Sequence, residues 1–280
     1  MVLPDIRSEF ADLIRNHVRG YAWVKMVEVP LVYPYDHFAV LARYLGLARS
    51  QGPIWALRTQ GVMAVDRVLT LGKPYLTRIL SVGGTGVVSP THIRVVPGYP
   101  LKVITDRYVF QHNCRLIEGG ILTGDALDGS VLGVSVECQG LTVLSEPKER
   151  EFLGFMRPGA DRGSYSTCFL SSLLTEFHER LTTALRGEGR PCISCGFCEE
   201  VCPVGLLPHL MHKYLYRDLL EEAGRIGVES CISCGLCSYA CPAKIDLQTQ
   251  FHEARRLIDE DRQTMIESTS PPETAKEAAA

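Results

Sequence analysis

CISCGFCEEVCP, residues 192–203, and CISCGLCSYACP, residues 231–242, are one pattern written twice: C-x2-C-x2-C-x3-C-P. Three cysteines at i, i+3 and i+6 let one tight loop offer three thiolates to three corners of a cubane, and the fourth must come from elsewhere. Gly196 and Gly235 stand at matching places, where the chain turns sharply and a side chain would crowd whatever the loop holds. Pro203 and Pro242 keep the local backbone from running on as helix. Structural zinc sites use paired C-x2-4-C arms, not a triple followed by Cys-Pro. Disulfide frameworks suit short secreted chains, and this one has 280 residues.

The run has the spacing of bacterial two-cluster ferredoxins, in which the fourth cysteine of each motif ligates the other motif's cluster. On that precedent, Cys192, Cys195, Cys198 and Cys241 hold one [4Fe–4S] cluster, and Cys231, Cys234, Cys237 and Cys202 hold a second. The expected cofactor is therefore two [4Fe–4S] clusters, and the chemistry is one-electron transfer. The second motif begins at residue 231 and the first at 192, an offset wider than in a compact bacterial ferredoxin. A helix fits between them, starting at Pro208, using Leu210, Tyr214 and Leu219, and ending near Gly224. The expectation is an α-helical dicluster module.

The rest of the composition narrows the class. A hydrophobic content of 46% allows a sizeable core and two or three small domains. The net charge of −3 gives no footprint for nucleic acid, so no nucleic-acid partner is expected. Of the 11 cysteines, eight sit in the two motifs, which points to a reducing compartment. The N-terminal stretch MVLPDIRSEFADLIRNH lacks a charged-then-apolar signal peptide, and no apolar run nears the roughly 20 residues that span a bilayer.

Along the chain, residues 4–19 read as a helix and 24–32 as a short strand. Asp36 is placed to cap a helix through Phe38, Leu41 and Leu45. Residues 61–71 read as a helix stopped by Gly72 and Pro74. Strands at 76–82 and 93–96, a turn at Gly83–Gly86, a helix at 100–108 and a turn-rich β region at 116–145 follow. Residues 146–164 read as a surface connection, 165–185 as an amphipathic helix and 248–266 as the last helix, before a disordered tail.

The residues outside the motifs have plainer readings. Cys114, Cys138 and Cys168 lack cluster spacing and read as small buried hydrophobes. His209 and His212 are spaced for a metal on a helix, but packing or exposure explains them as well. Glu199, Glu200 and Lys244 flank the clusters, where they tune potential or serve as surface charge. No Ser/His/Asp, Cys/His or paired-carboxylate catalytic set is visible, and no catalytic residue is assigned. The glycines at 83–86 resemble a phosphate cradle, but they lead into Val87, Val88 and Pro90 rather than a helix, so a β-turn is expected.

Several stretches resemble a known family. Gly72-Lys73-Pro74 through SVGGTGVVSPTHIRVVPGYPL (81–101) resembles the ligand-binding β-grasp segment of the C subunit of the Rnf complex, also found in the flavin-bearing subunit of respiratory complex I. RLIEGGILTG (115–124) resembles the glycine-rich piece that follows it. CISCGFCEEVCPVGLLP (192–208) and CISCGLCSYACPAKIDL (231–247) resemble the Rnf C dicluster domain. EREFLGF (149–155) resembles a segment of the related NqrA component of the sodium-pumping NADH:quinone reductase. The preceding FMN- and NADH-binding domain of that family, with its glycine-rich loop, is not recognised here.

The resemblance implies an α+β chain. It has a partial α/β, Rossmann-like and helical region at 1–70 and a β-grasp domain of the SLBB type at 71–145. A connecting segment and helix at 146–190 lead to the dicluster ferredoxin domain at 191–266, with a disordered tail at 267–280. It implies an electron-transfer subunit of an Rnf- or Nqr-like oxidoreductase complex. The partners implied are a flavin- or nucleotide-bearing redox protein and a membrane ion-pump complex. The location implied is cytoplasmic, peripheral on the cytoplasmic face of that complex. Two alternatives are a component of a flavin-dependent cobalamin-type cofactor reductase and a cluster-based redox sensor. The first class normally keeps its flavin domain, and the second needs an effector- or DNA-binding module that is not visible.

Overall fold

The computed structural model describes residues 2–4, 9–47, 52–109, 113–128, 130–146 and 189–269. The expectations for the connection at 147–164, the helix at 165–185, Cys168 and the tail after Thr269 lie outside the described residues. The chain divides into two compact units, residues 1–56 and 57–280.

In the first unit, β1 (Val2–Pro4) pairs in parallel with β2 (Val27–Val29), with Val2 opposite Val27. Helix α1 (Glu9–Val18) makes the crossover between them. Its Arg15 reaches Asp12 at 2.6 Å and Glu28, on β2, at 2.7 Å. Such exposed pairs are screened by solvent and contribute little, so the buried Ala11 and Val29 do more to hold this unit. Helix α2 (Phe38–Tyr44) is capped by His37, whose Nδ1 accepts from the Ala39 N–H at 3.2 Å. The sequence points to Asp36 as the cap; the chain enters the helix one residue later, leaving His37 in the extended cap position.

The second unit opens with α3 (Thr59–Leu71), which ends at Gly72 in the left-handed region, φ 62°. A five-stranded mixed sheet follows. Its strands are β3 (Arg78–Gly83), β4 (Thr91–Val95), β5 (Cys114–Glu118), β6 (Asp125–Leu127) and β7 (Gly140–Ser145), in spatial order β4-β3-β7-β5-β6. β3 and β4 form an antiparallel hairpin, and the last strand, β7, lies parallel to β3, with Ser81 opposite Gly140. Helix α4 (Leu101–Tyr108) connects the hairpin to β5 and buries Leu101 and Ile104.

Period-two alternation sets this core. Leu80 and Val82 of β3 are buried while Ser81 between them is exposed, and Leu141 and Val143 of β7 face the same cluster. Each such side chain contributes roughly 1.5–3 kcal/mol by burial. At Ile79, where β7 has not yet begun, Gln60 of α3 closes the strand: its Nε2 donates to Ile79 O at 2.9 Å, and its Oε1 accepts from Ile79 N at 3.0 Å. The turn at 83–86 needs glycine because β7 runs directly beneath it. A Cβ on Gly84 would stand 2.1 Å from Val143 O, and one on Gly86 would stand 2.7 Å from Cys114 Sγ.

The C-terminal part is helical: α5 (Phe197–Glu200), α6 (Pro208–Leu215), α7 (Leu220–Arg225), a 3-10 turn (Val228–Ser230), α8 (Leu236–Ala240) and α9 (Leu247–Thr269). Met211, Ala223, Val228, Leu247 and Phe251 form its core. Where the sequence reads as one helix from Pro208 to Gly224, there are two. Asp218 takes φ 58°, Asp218 N donates to Leu215 O, and Leu219 N donates to Tyr214 O. That is a Schellman stop with aspartate, one of the few side chains that tolerates the left-handed region, in the usual glycine place. The last helix begins and ends close to its expected limits and runs slightly longer, to Thr269. Among the described residues no helix is long and apolar enough to cross a membrane.

Candidate metal centre

The two motifs fold alike. Ser194 and Ser233 take φ 55° and 52°, and Gly196 and Gly235 follow at φ 81° and 75°. Each alternation of left- and right-handed residues curls the backbone inward, so that N–H groups face sulfur. Ser194 N donates to Cys192 Sγ at 3.4 Å, Ser233 N to Cys231 Sγ at 3.4 Å, and Leu206 N to Cys202 Sγ at 3.3 Å. At Gly196 nothing lies within 4 Å of a built Cβ, so the left-handed φ, not the expected crowding, is what calls for glycine. At Gly235 both reasons apply: a Cβ would stand 2.5 Å from Leu122 O, in the loop after β5, and 2.7 Å from Gln248 Oε1.

Helices α5 and α8 pack together, and this brings the end of each motif to the loop of the other. One recess is lined by Cys192, Cys195, Cys198 and Cys241, with Ile193, His209 and His212 beside them. A second is lined by Cys202, Cys231, Cys234 and Cys237, with Met211, Leu236 and Phe251 beside them. Their volumes, open to solvent in part, are about 350 and 400 Å³. None of the ten described cysteines forms a disulfide. Among the described residues no three ligating side chains converge on a point that would hold a single metal ion. Four cysteines line each recess.

Four of the motif thiols are pushed toward their neutral form. Burial pushes Cys198 up to about 11 and Cys237 up to about 12, with neighbouring cysteines adding to the effect. Burial raises Cys231 and Cys234 as well, while the Ser233 N–H and the Arg255 guanidinium pull Cys231 back. Metal binding at such thiols must release their protons, so it is favoured by rising pH.

Other candidates fall around these recesses. His212 is buried, and its Nδ1 lies 2.8 Å from Gln250 Oε1. His209 Nδ1 stands 3.3 Å from Glu199 Oε2, within ion-pair reach, but it is not aligned for a hydrogen bond and has no other partner among the described residues. Cys138 is buried in the sheet core, far along the chain from either motif, and Cys114 is half-buried on β5. Sequence reasoning missed Gln248 and Arg255 on α9. Gln248 Nε2 donates to Ser233 O at 3.0 Å, and Arg255 Nη1 donates to Cys231 O at 2.7 Å. Their seven-residue separation puts them on the helix face that carries Phe251, but nothing in the motif itself announces them.

Residues 185–242 match the 4Fe-4S dicluster domain family. Similarity also reaches beyond that domain. The chain is 30% identical over 173 residues to the A subunit of the Na(+)-translocating NADH-quinone reductase of Aliivibrio salmonicida (strain LFI1238), covering 62% of this chain and 39% of that protein. It is 32% identical over 177 residues to the protein of the same name in Pasteurella multocida (strain Pm70), covering 62% and 39%. This chain is related to those subunits. The kinship supports the Nqr- and Rnf-like grouping without singling out the Rnf C subunit. The chain spans about two fifths of the length of the curated relatives it matches.

Proposed function

We propose that this chain is an electron-transfer subunit that relays single electrons through two [4Fe–4S] clusters within an Nqr- or Rnf-like oxidoreductase complex. Cys192, Cys195, Cys198 and Cys241 would hold one cluster, and Cys202, Cys231, Cys234 and Cys237 the other. The observation that carries this is the pair of recesses, each walled by three cysteines of one motif and the last cysteine of the other. When bound, the clusters supply one-electron acceptance and release. The chain's own residues do the rest. Backbone N–H groups of Ser194, Ser233 and Leu206 donate to sulfur, which stabilises thiolate charge. Met211, Leu236 and Phe251 give the second recess an apolar wall.

The sheet at 71–145 is read as a β-grasp domain of the SLBB type, a docking scaffold for the complex. The support is its topology: a hairpin, a helix, and a last strand set parallel beside the first. Residues 191–266 form the cluster domain, joined through a connecting segment at 146–190, with a tail at 267–280. The parallel β1–α1–β2 unit supports reading residues 1–70 as a partial Rossmann-like region. The partners are a flavin- or nucleotide-bearing redox protein and a membrane ion-pump complex, with the chain peripheral on the cytoplasmic face.

Anaerobic reconstitution tests this reading. The purified chain should bind about eight irons and eight acid-labile sulfides, from two cubanes. Cys241→Ser should damage the cluster on the 192–198 loop more than the one on the 231–237 loop, as followed by electron paramagnetic resonance. One tetrahedral zinc and no sulfide would sink the cluster assignment, and loss confined to the 231–237 loop would sink the exchange of fourth ligands.

A further inference from the structure

We propose that Arg255 tunes the reduction potential of the cluster at the second quartet separately from that of the first, an inference that rests on the two-cluster reading above. Arg255 sits half-buried on α9. Its Nη1 donates to Cys231 O at 2.7 Å and lies 3.5 Å from Ser233 Oγ, so the guanidinium is fastened to the loop that carries Cys231, Cys234 and Cys237. No carboxylate pairs with it among the described residues. The other arginines of the same helix are claimed: Arg256 by Glu253 and Glu260, and Arg262 by Glu229 and Asp259. A half-buried guanidinium held by a backbone carbonyl instead of a carboxylate brings to that loop a positive charge that no paired carboxylate offsets.

Charge of both signs stands near the first quartet: Arg190 and Lys244 lie two and three residues from Cys192 and Cys241, and acidic residues follow Cys198. Glu199 and Glu200 stand on α5, directly after Cys198, and Glu199 faces His209, a residue of the first recess. No arginine side chain donates to the Cys192 or Ser194 backbone among the described residues. Burial is mixed: Cys234 is buried where its counterpart Cys195 is exposed, but Cys198 is buried where its counterpart Cys237 is half-buried.

Reduction adds one electron and therefore one negative charge, with no proton needed. Burial disfavours that added charge, and a nearby fixed cation favours it. Arg255 supplies such a cation at the loop of the second quartet. A unit charge a few ångströms away, at the effective dielectric of a half-buried site, changes such an equilibrium by about tenfold or more.

The test uses the full chain, reconstituted anaerobically and checked for iron and sulfide. It is then reduced stepwise with dithionite while both clusters are followed by electron paramagnetic resonance. The wave that Cys234→Ser perturbs belongs to the second quartet. Arg255→Gln should make reduction in that wave about tenfold less favourable, 59 mV for one electron, and leave the other wave within about twofold. Arg255→Lys, which keeps the charge, should recover most of the loss. On a fully loaded chain, an unmoved wave, or two waves shifted together, overturns the role of Arg255 and leaves the two-cluster reading standing. Should Arg255→Gln lose iron, Arg255→Lys decides: a loaded lysine variant near the wild-type potential supports tuning by charge, and one shifted as far as tenfold overturns it. A wild-type chain that assembles no cluster overturns the two-cluster reading and this role with it.

Discussion

Cys138 shows how one residue type takes different chemistry from different surroundings. It has the same thiol as the motif cysteines, but it lies in the sheet core among Leu80, Val82 and Val143, at 3% exposure. Burial, aided by the charge of Glu118, pushes its thiol up to about 12. Only the thiolate is a nucleophile, so Cys138 should be inert from neutral pH to about 10 while the fold is intact. Peptide mapping after iodoacetamide treatment at pH 8 should find Cys138 unlabelled in the native chain and labelled in denaturant. Rapid native labelling would place it in an open position. The expectation of a buried, unreactive role was legible from the lack of cluster spacing. Its depth and the carboxylate beside it were not, because both depend on β5 and β7 meeting.

Among the elements, the two motif loops share their sequence from cysteine to glycine but not their surroundings. Gly196 needs only its left-handed φ, whereas Gly235 is also pressed against Leu122 O and Gln248. Gly196→Ala should therefore cost about 1–2 kcal/mol, the usual left-handed penalty. Gly235→Ala should cost more, because backbone must move as well, and should lower iron retention in the second quartet selectively. Thermal unfolding and iron content of the two variants check this, and equal losses would refute the asymmetry. The helices show the same division. Their existence and ends at Gly72 and Pro208 follow from local signals, while the break at Asp218 lacks the glycine that would announce it.

At the scale of the whole molecule, the chain carries one loop that looks like a phosphate cradle and is occupied by its own backbone. The 83–86 turn lies on Val143, with Gly86 N donating to Val143 O at 3.0 Å, and leads to β4 rather than to a helix N-terminus. The reconstituted chain should then bind neither FMN nor NADH tightly through this turn, and NADH alone should not bleach its clusters. Reduction should require a flavin-bearing partner. Titration with each ligand, followed by stopped-flow mixing with NADH, gives the answer. Micromolar binding that is lost in a variant of the 83–86 turn would show that the turn opens.

What the sequence determined by itself are the properties carried within one loop or one turn of helix. These include the twice-written cysteine spacing, the glycines that permit a sharp curl, and the alternation of apolar residues in β3 and β7. Each depends on neighbours a few positions apart, so it survives in the linear text. The exchange of last cysteines between motifs was expected from the ferredoxin spacing, but tertiary structure alone decided that the packing of α5 on α8 brings them to each other's recess. It also decided that Arg255 reaches Cys231 across 24 residues, and that Leu122, from the loop after β5, presses on Gly235. Those contacts join parts of the chain far apart in sequence, and only the packing of helices and sheet brings them within a few ångströms.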